Sequence, residues 1–246
     1  MASTTVCKNA IHAPQSVLHL LARLHKQSFE QEEILKRPDG GYNVISDTLK
    51  SDPANTEAKR NEIMLDKFIA LDADKAALVY SLIRATGALN VVEAGTSFGV
   101  STIYLALAVG QNAEAAGKTS AQAKVMATEF ESSKATQARK YWREAGSSVE
   151  PWIDLREGDL LQTLKGDLPV IDFVLLDIWT PMVVPTLELL EPHFRPGTLL
   201  VADNTVTSAS GYQDFFKRIS APGSGYRTLT LPYSGGLELV TYWPKA

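Results

Sequence analysis

Apolar and polar positions follow one another in blocks that predict strands and helices in regular succession from residue 90 onward. Short runs rich in β-branched residues, typical of buried strands, precede longer stretches with helical spacing. The predicted strands cover residues 90–93, 124–128, 152–156, 171–176 and 198–202. The predicted helices cover residues 99–109, 131–145, 182–193 and 210–219, and a short one ends near Lys165. The small and polar residues between 110 and 122 predict a loop.

Two strands with no helix between them end the chain. They span residues 226–231 and 237–243, and the turn sequence Pro-Tyr-Ser-Gly-Gly joins them. Such a connection predicts an antiparallel hairpin at one edge of a sheet. The alternation before it favours a mostly parallel sheet with helices on both faces. The sequence therefore predicts an α/β fold with seven strands.

Helices are also predicted before the first strand, over residues 14–36, 52–71 and 73–85. The first is followed by the turn signal Pro38-Asp39-Gly40-Gly41. Asp52-Pro53 is typical of a helix start, and Asp72 is expected to cap the third helix, which Gly87 ends. No repeat or linker indicates a second domain in the 246 residues. We expect one domain, residues 1–246, with a helical cap over 1–71 and a core over 72–246.

Composition excludes several classes of protein. The hydrophobic content of 45% and charged content of 21% are ordinary for a globular chain, and the net charge of −4 gives no reason to expect nucleic acid. No apolar run reaches the roughly 18 residues that a membrane span needs. We therefore expect neither nucleic acid nor a membrane as partner. The single cysteine, Cys7, precludes an internal disulfide and suits a reducing compartment.

The first 29 residues allow two interpretations. They contain basic and hydroxyl side chains but no acid, a composition compatible with a mitochondrial transit peptide. Apolar residues at helical spacing instead predict an amphipathic helix, carried by Val17, Leu18, Leu21, Leu24 and Phe29. We expect a cytoplasmic protein, with the mitochondrion as the alternative.

A glycine loop follows the strand at residues 90–93. It reads Glu93-Ala-Gly95-Thr-Ser-Phe-Gly99-Val-Ser101. An acid at a strand end followed by two glycines four apart lets the backbone approach a bulky ligand closely. The spacing differs from the G-x-G-x-x-G of dinucleotide-binding proteins. Taken alone, the loop could also be a plain turn between a strand and a helix.

Carboxylates follow five of the predicted strands: Glu93, Glu129, Asp159, Asp177 and Asp203. In open parallel sheets, ligands bind at the carboxyl ends of the strands. Each acid alone could simply cap the next helix. Five acids at one edge indicate a cleft rich in hydrogen-bond acceptors, which suits a cation, hydroxyls and amines better than phosphates.

Two of these acids are placed to bind a nucleoside. Glu129, after the second strand, can accept hydrogen bonds from both hydroxyls of a ribose. Asp159 is placed to accept from an adenine amino group, and Gly158 would let the purine lie close to the backbone.

Asp177, Asp203 and Asn204 form a second group. Two carboxylates and an amide oxygen are hard ligands that suit Mg²⁺. Histidine and cysteine ligands for zinc are not in evidence in the sequence. Asp203-Asn204 alone would be a turn after a strand, but an aspartate at the neighbouring strand end favours a metal site.

The ordered motifs resemble the cation-dependent catechol and caffeoyl-coenzyme A O-methyltransferases of class I. They are the glycine loop, Glu129, Glu157-Gly158-Asp159, Leu176-Asp177-Ile178-Trp179 and Ala202-Asp203-Asn204, and the resemblance covers about residues 60–245. It implies a Rossmann-like seven-stranded fold with extra N-terminal helices and S-adenosylmethionine as the methyl donor. The cofactor-binding residues that we expect are Glu93, Gly95, Ser97, Gly99, Ser101, Glu129, Gly158, Asp159, Asp177 and Trp179. Asp177, Asp203 and Asn204 would be the catalytic residues and the Mg²⁺ ligands.

The resemblance also implies a reaction. A vicinal diol would chelate the metal through both oxygens, which lowers a phenolic pKa and fixes one oxygen beside the sulfonium methyl group. We expect Mg²⁺-dependent methylation of a hydroxyl on a small aromatic with adjacent hydroxyls, such as a catechol, flavonoid or phenolic acid. A homodimer is also expected, because the N-terminal helices in this family often cover the substrate or join two subunits.

One position departs from the family pattern. Catechol O-methyltransferases have a lysine base three residues after the first metal aspartate, where this chain has Thr180 followed by Pro181. Threonine cannot act as a base near neutral pH. Two alternatives therefore stay open: a metal-independent N- or S-methyltransferase, and a non-catalytic nucleoside-binding protein.

Overall fold

A seven-stranded sheet forms the centre of the protein in the computed structural model, which describes residues 10–52, 55, 59 and 62–244. The strand order is β3-β2-β1-β4-β5-β7-β6. The first five strands are parallel, and β7 runs antiparallel to both β5 and β6. The strands are β1 (Asn90–Ala94), β2 (Lys124–Glu129), β3 (Ile153–Glu157), β4 (Ile171–Leu176), β5 (Phe194–Asp203), β6 (Tyr226–Leu231) and β7 (Leu237–Tyr242). The predicted α/β fold and the terminal hairpin are confirmed.

Helices cover both faces of the sheet. They are α1 (Gln15–Leu35), α2 (Gly41–Ser51), α3 (Ala73–Thr86), α4 (Val100–Ala115), α5 (Ser132–Ala145), α6 (Leu160–Thr163), α7 (Thr180–Leu190) and α8 (Gln213–Ile219). Successive strand residues point to opposite faces, so Val91 packs with α1, α3, α4 and α5, while Val92 packs with α7 and α8. Burial on both faces explains the nearly continuous apolar run of β4.

The strand register brings the predicted site residues to one edge. Ala94 at the end of β1 pairs with Thr128 on one side and with Leu176 on the other, and Leu176 pairs with Ala202. The carboxyl ends of β2, β1, β4 and β5 are therefore level. The residues that follow them meet at that edge.

The predicted loop over residues 110–122 is wrong in its first part, because α4 continues to Ala115. Asn112 is buried there, and its side-chain nitrogen donates to the carbonyl oxygens of Ile83 and Ala88, where α3 ends. Asn112 can thus occupy a buried position of α4 because its side chain hydrogen-bonds to carbonyl groups at the end of α3. Sequence polarity alone cannot show that partner.

The structure also differs from the prediction before residue 72. A helix, α2, begins at Gly41, the last residue of the predicted turn, and residues 65–72 are not helical. Most residues from 53 to 61, where the predicted second helix begins, lie outside the described residues, as does Cys7. The cap boundary at residue 71 stays a prediction. Within the described residues, no helix is long and apolar enough to cross a membrane.

Candidate active site

The glycine loop between β1 and α4 passes close to two neighbouring elements. Gly95 has φ +93°, and a Cβ there would collide with the backbone carbonyl oxygen of Asp177. Gly99 has φ +75°, and a Cβ there would lie 2.6 Å from Nε1 of Trp142, which donates to the Gly99 carbonyl at 3.0 Å. Both positions require glycine for conformation and for space.

Glu93 supports this loop from inside the protein. Its side chain is completely buried, and its two oxygens accept hydrogen bonds from the hydroxyls of Thr96 (2.8 Å), Ser101 (2.6 Å) and Thr102 (2.5 Å). Burial raises the pKa of Glu93, although these hydroxyls oppose the shift. The contacts of Glu93 are therefore internal, and its predicted contact with a cofactor stays a prediction.

Glu129, at the end of β2, is bonded to the loop. The backbone N–H of Ser97 donates to one carboxylate oxygen and that of Glu131 to the other, each at 2.7 Å. Ser97 adopts φ +49°, unusual for a residue other than glycine. Burial raises the pKa of Glu129, and the two backbone donors lower it. Since each carboxylate oxygen can accept a second hydrogen bond, the ribose assignment of Glu129 stays compatible with these contacts.

The residues predicted to contact adenine lie at the ends of β3 and β4. Asp159 is exposed and caps α6, because it accepts the N–H of Leu161 at 2.9 Å. The N–H of Gly158 donates to the carbonyl of Glu129 at 2.9 Å, which ties the end of β3 to that of β2. Trp179 is partly buried and precedes α7. Their role in binding adenine stays a prediction.

A small cavity of about 10 Å³, room for about one water molecule, lies between the glycine loop and an irregular segment, residues 67–71. Its lining residues are Ile69, Ala70, Leu71, Gly95, Thr96, Ser97, Phe98, Val100, Ser101 and Asp177. The segment is held by α1, since the N–H groups of Phe68 and Ala70 donate to side chains of that helix at 2.7 and 2.8 Å. The Phe68 ring stacks on Phe98 of the loop at 4.7 Å. Part of the N-terminal region thus covers the site.

Lys75 is a site residue that the sequence pattern does not reveal. Its ammonium lies 2.7 Å from Oδ1 of Asp203 and 3.1 Å from Oδ2 of Asp72, and its side chain is only 3% exposed. Burial lowers the pKa of Lys75, but the two carboxylates outweigh burial and the pKa lies above its usual value. A lysine in the first turn of an amphipathic helix ordinarily faces water, so only the three-dimensional contact identifies it. Asp72 precedes α3 as predicted, but its carboxylate pairs with Lys75 and caps no backbone N–H.

Asp177, Asp203 and Asn204 come together beside this lysine. The amide nitrogen of Asn204 donates to Oδ2 of Asp203 at 3.1 Å, while its oxygen lies beside Gly235 in the hairpin turn. Burial and the charge of Asp203 raise the pKa of Asp177, and the charge of Lys75 lowers it. Burial also raises the pKa of Asp203, which Lys75 opposes. The two aspartates are therefore close enough to repel each other.

Comparisons with known proteins show what this chain is similar to. A family model described as "Methyltransferase domain" matches residues 92–205. Tricin synthase 1 from Oryza sativa is 26% identical over 201 residues, covering 76% of this chain and 75% of that protein. The chain is therefore similar to class I S-adenosylmethionine-dependent O-methyltransferases.

Solved structures of other methyltransferases share the fold. The O-methyltransferase TomG from Streptomyces achromogenes, in complex with S-adenosylmethionine, has a TM-score of 0.60 and 20% identity, covering 91% of this chain and 98% of that one. The O-methyltransferase from Bacillus cereus, in complex with S-adenosylhomocysteine, has a TM-score of 0.59 and 18% identity, covering 90% and 99%. The methyltransferase PaMTH1 from Podospora anserina, also bound to S-adenosylhomocysteine, has a TM-score of 0.62 and 14% identity, covering 97% and 92%.

The predicted Mg²⁺ ligands do not fit a divalent cation in their present arrangement. Both oxygens of Asp203 already accept N–H groups, and one of these belongs to an ammonium. An ion on the same carboxylate would be repelled by that ammonium at short range. Asn204 turns its nitrogen, not its oxygen, toward Asp203. Among the described residues, no group of three or more His, Cys, Asp or Glu is arranged to hold a metal.

Thr180, at the position of the family's lysine, lies beside Gly211. Its hydroxyl packs against Gly211, so closely that a Cβ on that glycine would collide with it. Among the described residues, the lysine that contacts Asp203 is Lys75, which comes from α3.

Proposed function

We propose that this protein is an O-methyltransferase that transfers the methyl group of S-adenosylmethionine to a hydroxyl of a small aromatic molecule. The observation that carries the proposal is the contact between the glycine loop and Glu129, in which the N–H of Ser97 donates to a buried carboxylate at the end of β2. This contact joins the loop to the expected ribose acceptor at the edge where β1, β2 and β4 end level. A small cavity lined by the glycine loop and Asp177 lies beside it.

The cofactor would lie along this edge. Gly95, Ser97 and Ser101 would line its methionine part, and Glu129 would accept from the ribose. Asp159, Gly158 and Trp179 would lie around adenine. A sulfonium ion carries a positive charge, which suits an edge with Asp177 and other carboxylates. TomG, bound to S-adenosylmethionine, supports this choice of cofactor.

The chemistry needs positioning more than a reactive protein group. The phenolic oxygen attacks the methyl carbon as the carbon–sulfur bond breaks, S-adenosylhomocysteine leaves, and the phenolic proton passes to solvent. Holding both reactants in line accounts for much of such a rate enhancement. The segment at 67–71 and the loop at 95–99 would exclude water from the reacting atoms.

The acceptor and the assembly are finer parts of the proposal. An aromatic with adjacent hydroxyls, a homodimer and a cytoplasmic location all stay predictions. The vicinal diol was expected because a divalent cation chelates two oxygens, so this preference depends on the metal. A single-hydroxyl phenol therefore belongs in any test beside a catechol.

The test is an assay with methyl-labelled S-adenosylmethionine and a panel of acceptors. The panel holds a catechol, a flavonoid, a phenolic acid and a single-hydroxyl phenol, with an aromatic amine and an aromatic thiol as comparators. We expect transfer to oxygen, identified by mass spectrometry of the product. Transfer only to the amine or the thiol would contradict the proposal and favour the N- or S-methyltransferase. Binding of the cofactor without any transfer would favour the nucleoside-binding protein.

A further inference from the structure

The ammonium of Lys75 lies where the family resemblance leads one to expect a metal ion. It contacts Asp203, a predicted ligand, at 2.7 Å, and is held from the other side by Asp72 at 3.1 Å. We propose that Lys75 takes the place of the divalent cation, so that this enzyme acts without a bound metal. The effect on turnover rests on the proposed function, whereas the effect on metal binding does not.

The position of the ammonium is fixed by its surroundings. Lys75 lies in the first turn of α3, which packs against α4 in the same core as β1, and its side chain is almost completely enclosed. Two carboxylates accept from it, and a buried charge paired in this way is costly to move. A flexible surface lysine would spend little time on Asp203. This one is held there by the fold.

Lys75 also supplies the charge that a metal would supply. Asp203, Glu93 and Asp72 all repel the carboxylate of Asp177, and the ammonium opposes them. A divalent ion between Asp177 and Asp203 would relieve the same repulsion. The ammonium of Lys75 already reduces part of this repulsion. Lys75 is thus a positioning residue that keeps this acidic edge together.

The number of hydrogen bonds that Lys75 can donate limits how an acceptor molecule can bind. A divalent cation chelates two oxygens of one substrate, whereas an ammonium has three N–H donors. Two of those of Lys75 point to Asp203 and Asp72. At most one remains for an acceptor oxygen, so the site does not require a vicinal diol.

The test is Mn²⁺ binding to the full-length protein, measured by electron paramagnetic resonance, for wild type and for Lys75→Gln and Lys75→Arg. We expect wild type and Lys75→Arg to bind Mn²⁺ weakly, and Lys75→Gln to bind at least about tenfold more tightly, because the positive charge beside Asp203 is gone. Equal affinity of Lys75→Gln and wild type would overturn the proposal. Tight binding by wild type that Asp203→Asn abolishes would overturn it as well.

Turnover provides a second measurement. We expect EDTA to leave wild-type methyl transfer unchanged, and Lys75→Gln to lower it more than Lys75→Arg does. Loss of wild-type activity in EDTA, restored by Mg²⁺, would overturn the proposal. Lys36→Gln, which removes an exposed lysine paired with Glu32, is the matched control and should resemble wild type in both measurements.

These readouts separate the two proposals. If no acceptor on the panel is methylated, the proposed function fails, and the Mn²⁺ titration still decides the role of Lys75. Thermal unfolding and S-adenosylhomocysteine binding report whether each variant is folded. If Lys75→Gln does not fold, two other measurements test the proposal. They are the activity of wild type with and without EDTA, and the Mn²⁺ affinity of Lys75→Arg.

Discussion

Gly95 lies where the loop crosses from β1 toward β4, and its conformation is open to few other residues. It has φ +93°, and a side chain there would meet the backbone of Asp177. Because the obstacle is backbone at the end of a central strand, it cannot move aside cheaply. The loop can therefore keep this shape only with glycine at position 95.

Gly95→Ala should distort the loop and weaken binding of S-adenosylhomocysteine at least about tenfold, with a lower melting temperature. Gly117→Ala is the matched control, because Gly117 has φ +63° and nothing lies within 4 Å of its Cβ position. Gly117→Ala should lower the free energy of unfolding by only about 1 kcal/mol, through backbone strain, and leave the binding of S-adenosylhomocysteine unchanged. Calorimetry measures the affinity of each variant for S-adenosylhomocysteine, and thermal unfolding measures its melting temperature. Equal binding by the two variants would contradict a close approach at Gly95.

Which side chains meet at the site could be predicted only in part. Glu129, Asp177, Asp203 and Asn204 follow strands, so the alternation of strands and helices predicts their common edge. Lys75 lies on a helix, 128 positions from Asp203, and its neighbours in sequence give no sign of the pairing. Periodicity indicates which face of an element is buried but not which charged residue enters that face.

At the scale of elements, α1 packs against α4 through a pair of polar rings. His25 lies 2.8 Å from the hydroxyl of Tyr104, and burial lowers the pKa of His25 from 6.5 to about 4, although Asp72 and Asp74 oppose the shift. The folded protein therefore holds this histidine neutral where an unfolded chain would bind a proton. Protonation favours the unfolded state.

The free energy of unfolding should fall as the pH drops from about 6.5 to about 4, by up to about 3 kcal/mol from this residue. Above the unfolded pKa of 6.5 the contribution is constant. His25→Gln, which has no titrating side chain, should show a correspondingly smaller fall, whereas His19→Gln, at an exposed site on the same helix, should follow wild type. Denaturant unfolding across this pH range measures the difference. Parallel curves for wild type and His25→Gln would contradict the assignment.

Periodicity predicted best the elements that are buried on one face or on both faces. Six strands and the helices α1, α3, α5 and α8 have bounds near the predicted ones, whereas β5 begins at Phe194, four residues before its predicted start. The errors lie where tertiary contacts override local preference, as in α4, which Asn112 extends by satisfying the end of α3. The short helix α2 begins at a glycine pair, and such residues are weak helix formers.

At the scale of the whole molecule, two parts of the chain enclose one edge of the sheet. The core supplies the glycine loop and the carboxylates, and α1 holds the segment at 67–71 over them. The motifs from Glu93 to Asn204 allowed the core to be predicted in outline. The cover could not be predicted, because it depends on contacts such as that of Phe68 with Phe98 between distant segments.

The central claim is that this edge binds S-adenosylmethionine with Glu129 on the ribose, and calorimetric titration with S-adenosylhomocysteine tests it most directly. Wild type should bind, and Glu129→Ala should bind roughly thirtyfold more weakly, or about 2 kcal/mol, because two charge-assisted hydrogen bonds are lost. Glu131→Ala, two positions further on, keeps the backbone N–H that Glu129 accepts and should bind like wild type. Unchanged affinity in Glu129→Ala, or no binding by wild type, would contradict the account.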